Sequence, residues 1–115
     1  MLPQEKAKQN LFTYLKNNPI FHNSQIIIFG SFARNEERYD SDLDVLIISD
    51  KIDQPTILDT ISSLRYCDDD TAEIDVKVIS TNKWNNSNST FIKTIKMEGA
   101  DVTEEFRNLL WFRWE

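Results

Sequence analysis

The run LDVLII, Leu43 to Ile48, has the β-branched and apolar character of a buried strand, yet Asp44 stands inside it and Asp42 lies two residues before that. An ionised carboxylate taken out of water costs several kcal/mol unless something positive meets it. On an extended strand residues i and i+2 share a face, about 7 Å apart at ~3.3 Å per residue, so the two acids project together. Leu43, Val45 and Ile47 then form the opposite side and can belong to a core. The chain must therefore fold so that one end of a sheet gathers acids whose charge is met by cations.

The neighbouring segments supply that sheet. Ala7, Leu11 and Leu15 recur every fourth residue, Phe12 and Tyr14 widen the stripe, and Pro3 suits a first helical turn, which predicts a helix from Leu2 to Asn17. Gln25 to Phe29 reads as a buried strand ended by Gly30. Ile57, Leu58, Ile61 and Leu64 predict a helix from about Pro55 to Tyr66. Glu73 to Ile79 alternates as a third strand, with Ile74, Val76 and Val78 on one face and Glu73, Asp75, Lys77 and Ile79 on the other. Thr81 to Asn88 reads as a polar connection around Trp84, followed by a helix from Ser89 or Thr90 as far as Gly99. Asp101 to Trp114 is a last helix whose Phe106, Leu109, Leu110, Trp111, Phe112 and Trp114 surround nearly its whole circumference. Either those aromatics meet another chain, giving a homo- or hetero-oligomer, or the helix packs deep against the sheet. The order predicts an α/β (α+β) fold with a small mixed sheet of three to four strands flanked by helices, in a single domain over residues 1–115.

Composition excludes several classes. No wholly apolar run exceeds four residues, so neither a membrane span nor a signal peptide is expected. The net charge is −6 and the 13 basic residues are scattered from Lys6 to Arg113, without the cationic stripe that grips long DNA or RNA. Cys67 is the single cysteine, so no internal disulfide forms, in keeping with a reducing, cytoplasmic setting. His22 has no second histidine to complete a ligand set and reads as a loop residue. The acidic tract Asp68 to Asp70 lacks the glycine and distal glutamate of a calcium loop and reads as a solvated connection.

Asp75 interrupts the third strand as Asp44 interrupts the second. Three carboxylates at one sheet surface repel one another, and oxygen-only ligands favour Mg²⁺ or Mn²⁺ over Zn²⁺. Two such ions about 4 Å apart suit in-line phosphoryl or nucleotidyl transfer. Gly30 lets the backbone approach closely, the N–H groups and hydroxyl from Ser31 onward can cradle phosphate at the start of a short helix, and Arg34 and Arg38 can neutralise phosphate charge.

The stretch GSFARNEERYDSDLDVLII resembles the G-S-x(10)-D-x-D signature of the DNA polymerase beta-like nucleotidyltransferase superfamily, and its brevity resembles the minimal nucleotidyltransferase branch, members of which are often antitoxins paired with HEPN-domain proteins. The resemblance implies that Gly30 and Ser31 bind the triphosphate of ATP or another nucleoside triphosphate. It also implies that Asp42 and Asp44 ligate both metal ions, and that Asp75 completes the metal site and helps to deprotonate an acceptor hydroxyl. The expected activity is Mg²⁺-dependent transfer of NMP, AMP first among them, with release of pyrophosphate. In 115 residues there is no room for an acceptor domain, so the expected acceptor is a hydroxyl on a HEPN-like partner protein. The alternative is a non-catalytic module that neutralises a partner by steric occlusion. Two departures from the family stand out: Asn35 where many relatives have glycine, and Glu36 with Glu37 in a loop expected to face phosphates.

Overall fold

Helix α1 runs from Pro3 to Lys16 and opens on the proline, whose missing N–H is no loss in a first turn. Its stripe of Ala7, Leu11, Phe12 and Leu15 is buried, each large member of it contributing about 1.5–3 kcal/mol of apolar burial. A single turn of 3-10 helix, Pro19–Phe21, leads into strand β1, Gln25–Phe29. The computed structural model describes residues 2–35, 41–55, 57, 59 and 72–112, the last two without their side chains.

Strand β2 is Leu43–Ile48 and β3 is Ile74–Ile79. Helix α2 covers Thr81–Asn86, α3 covers Thr90–Glu98, β4 is the pair Ala100–Asp101, and α4 covers Thr103–Phe112. The sheet is mixed, in the order β3-β2-β1-β4. Strand β1 lies antiparallel to both β2 and β4, and β2 lies parallel to β3.

Side-chain alternation divides the sheet into two faces. On one, Ile26, Ile28, Leu43, Val45, Ile47, Ile74 and Val76 form the main core with α1 and α4. Phe12 and Phe106 meet there with ring centroids 5.5 Å apart, and Leu110 packs at the margin. Phe106 and Leu110 of the aromatic C-terminal helix thus pack inward, while Leu109 stays exposed. On the other face, Ile27, Leu46 and Ile48 are covered by Ile95 of α3, with Phe29, Ile79 and Trp84 alongside. Among the described residues no helix is long and apolar enough to cross a membrane.

One expectation changes, and two details are added. The stretch from Thr81, read as a connection, is helical: Ser80 caps it by accepting from the Lys83 N–H at 3.1 Å, and Trp84 secures it by packing on the sheet with the Lys96 ammonium 4.9 Å from its ring centre. Strand β4 is two residues long, too short to leave a propensity signal. Gly99 does end α3, but with an ordinary φ of −72°; a β-carbon there would lie 2.6 Å from the Ile95 carbonyl and 2.8 Å from Ile27, so the glycine lets the chain turn back against β1. Residues 54, 55, 57 and 59 are helical as expected after the second strand, while the rest of the predicted Pro55 to Tyr66 helix, with Cys67 and the Asp68 to Asp70 tract, falls outside the described residues.

Candidate active site

Parallel pairing of β2 with β3 sets Asp44 directly beside Asp75, and antiparallel pairing of β2 with β1 sets it opposite Phe29. Gly30 follows with φ of +76°, a backbone conformation that side-chain-bearing residues rarely adopt. A β-carbon on Gly30 would also run into the Asp44 carboxylate, whose Cγ it would approach to 3.1 Å. Glycine is required twice over here: the turn needs its backbone freedom, and the carboxylate occupies the space a side chain would fill.

From Ser31 to Asn35 the chain forms a turn rather than an extended helix, closed by the Arg34 N–H donating to the Gly30 carbonyl at 3.3 Å and the Asn35 N–H to the Phe32 carbonyl at 3.2 Å. Asn35 sits at φ 56°, so the residue that replaces the family's glycine takes the left-handed conformation asparagine tolerates. Phe32 anchors the turn in the main core, and Ser31 remains half-buried beside Gly30. Arg34 is ion-paired with Glu98 of α3 at 3.6 Å. Arg38, Glu36 and Glu37 lie outside the described residues.

The electrostatics record the clustering of the acids. Burial, then the charges of Asp75 and Asp42, hold the Asp44 carboxyl above its ordinary value of 3.8, while Lys77 and Arg34 pull it down. Asp42 and Asp75 are themselves exposed. Among the described residues, no three aspartate, glutamate, histidine or cysteine side chains close around a single point. The three acids are neighbours that do not converge on one point; a Mg²⁺ ion in general takes one or two carboxylates and completes its shell with waters and substrate phosphates. A half-buried carboxylate repelled by two neighbours is the donor set such an ion would relieve.

Two residues escaped sequence reasoning. Lys77 shares the Asp75 face two residues on and lowers the Asp44 pKa; the strand alternation already placed it there. Gln4 is wholly buried in the first turn of α1 and donates from Nε2 to the Ser41 carbonyl at 2.6 Å, next to Asp42. The adjoining Pro3 carbonyl accepts from the Ala72 N–H at 3.2 Å, shortly before Asp75. One helical turn thus ties down the segments that lead into both acid-bearing strands. The signal for Gln4 was its position, one step back along the Ala7, Leu11, Leu15 stripe. His22 takes no part: its Nε2 lies 2.8 Å from the Lys16 carbonyl and its ring packs on Phe106.

The family model described as "Nucleotidyltransferase domain" matches residues 9–99. No curated protein sequence matches the chain significantly. Among solved structures, a toxin-antitoxin crystallised with AMP-PNP is similar with a TM-score of 0.61 at 15% identity, over 92% of this chain and 85% of that one. A mutant of the toxin-antitoxin MntA-HpeT, with two aspartates spaced two apart changed to glutamate, is similar with a TM-score of 0.52 at 17% identity, over 96% of this chain and 86% of that one.

Proposed function

The chain belongs to the nucleotidyltransferase domain family, and from that premise we propose that it transfers NMP, in the first instance AMP, from a nucleoside triphosphate to a hydroxyl on a partner protein, as the antitoxin of a toxin-antitoxin pair of the HEPN and minimal nucleotidyltransferase type. The observation that carries this reading is the juxtaposition of Asp44 with Asp75 across β2 and β3, with the Gly30 backbone pressed against the same carboxylate. The two toxin-antitoxin structures of similar fold, one holding AMP-PNP, support the nucleotide and the partner class.

Asp42, Asp44 and Asp75 are the residues that would hold Mg²⁺, which when bound supplies charge neutralisation at the phosphoryl oxygens. The N–H groups and hydroxyl from Ser31 onward bind the β- and γ-phosphates, the close approach being open because position 30 has no side chain. Arg34 adds a cation on the same side, by exchanging Glu98 for phosphate. Asp75, exposed at the end of β3, takes the proton of the acceptor hydroxyl as its oxygen bonds to the α-phosphorus and pyrophosphate leaves.

The test is an incubation of the chain with labelled ATP, Mg²⁺ and its purified helical partner. Label on the partner that is lost with Asp44→Asn or Ser31→Ala supports the transferase. Full neutralisation of the partner by those variants, with no label transferred by the wild type, overturns it in favour of occlusion.

A further inference from the structure

In-line displacement at phosphorus brings the attacking oxygen in opposite the leaving group. The sheet gives that axis a direction. Gly30 and Ser31, on the β1 side of Asp44, take the departing phosphates, so the acceptor approaches from the β3 side, past Asp75. On that side a cavity of about 440 Å³ lies between β3 and the start of α3, with Asp75, Lys77, Lys83, Phe91 and Ile92 in its lining. Gln54 also lines it, and its side chain bonds the outer edge of β3 and so blocks strand addition.

The charge of this cavity departs from that of the chain, whose net charge is −6. Lys77 and Lys83 are both exposed, and among the described residues neither takes part in an ion pair. Phe91 is 41% exposed beside them, held edge-on against Phe29 with centroids 5.6 Å apart. Two ammonium groups outside any ion pair among the described residues, one of them acting also on Asp44, and an aromatic ring bordering an acid describe a surface for a segment that is itself acidic.

Resting on the transferase reading, we infer that the cavity alongside β3 is the acceptor subsite and that it selects a hydroxyl-bearing segment flanked by acidic residues on the partner protein. Lys77 and Lys83 attract the flanking carboxylates, Phe91 supports the side chain that carries the hydroxyl, and that hydroxyl then reaches Asp75. The oxygen–phosphorus bond forms as the α–β phosphoanhydride bond breaks, the proton passes to Asp75, and pyrophosphate leaves.

The experiment uses fluorescent peptides with one central tyrosine flanked by glutamates, by serines or by lysines, their binding to the full chain followed by anisotropy at low and physiological salt. At about threefold per exposed charge pair, the glutamate peptide binds about tenfold more tightly than the serine peptide and the lysine peptide binds more weakly still, and the differences shrink with salt. Lys83→Glu abolishes the preference, since the introduced carboxylate offsets Lys77, and Lys77→Gln weakens the glutamate peptide about threefold. Equal binding of the three peptides, or indifference to both substitutions, overturns the inference even if the partner is labelled by ATP. Retained preference for the glutamate peptide, with no ATP-dependent label on peptide or partner, upholds the surface and overturns the transferase reading instead.

Discussion

Asp44 and Asp75 occupy the same level of adjacent parallel strands, and Asp44, the more enclosed of the two, holds its proton more tightly than an isolated carboxyl does. Desolvation and repulsion from Asp75 and Asp42 both act against its charged form, so ionising it opposes folding. The stabilising contribution of the protonated carboxyl is complete below the unfolded value, ordinarily 3.8, and is lost as pH rises through the elevated folded value.

Asp44→Asn therefore melts at a higher temperature than the wild type in EDTA at neutral pH, and the two curves converge as pH falls below about 4. Mg²⁺ raises the wild-type melting temperature and leaves the variant nearly unmoved. Thermal melts from acid to neutral pH, with and without the metal, measure this; a metal-free variant that melts lower at pH 7 contradicts it.

Gly30→Ala meets two obstacles, a φ of +76° and the Asp44 carboxylate. The backbone alone costs about 1–2 kcal/mol. Pairing it with Asp44→Ala removes the collision but not the backbone cost, so the double variant is more stable than the sum of the two single effects predicts. Urea unfolding of all four combinations gives the coupling; simple additivity excludes the collision.

Gln4→Ala removes a buried donor from the Ser41 carbonyl and costs about 1–3 kcal/mol in urea unfolding. Since Ser41 precedes Asp42, the variant also binds Mn²⁺ more weakly, read by electron paramagnetic resonance under conditions where it is fully folded. Unchanged Mn²⁺ affinity limits Gln4 to holding the helix in place.

Gln54→Ala strips the outer edge of β3 of two bonds: the one its Nε2 donates to the Val76 carbonyl at 2.9 Å, and the one its Oε1 accepts from the Val78 N–H at 2.8 Å. The expected loss is about 1–3 kcal/mol, together with self-association through the bared strand. Light scattering across a concentration series checks the second effect, and a strictly monomeric variant argues that something else guards the edge.

Local rules carried much of this fold. The four-residue recurrence from Ala7 to Leu15, the β-branched runs and the glycine turn located α1, the three main strands and the D-x-D segment, because helical and strand periods are written directly in side-chain polarity. Capping and docking decided α2: a weak helix former became helical because Ser80 satisfies its first turn and Trp84 finds a place on the sheet. No short-range pattern tells that Asp44 faces Asp75 rather than an alternative neighbour, since strand order and register depend on which core the whole chain can close. The same holds for Gln4 reaching across to Ser41, and for Lys77 and Lys83 flanking one cavity. The residue types and their spacing thus determined the kind of chemistry available; the packing of α1 and α3 on opposite faces of the sheet decided which side chains meet, because proximity between distant segments follows from burying both faces at once.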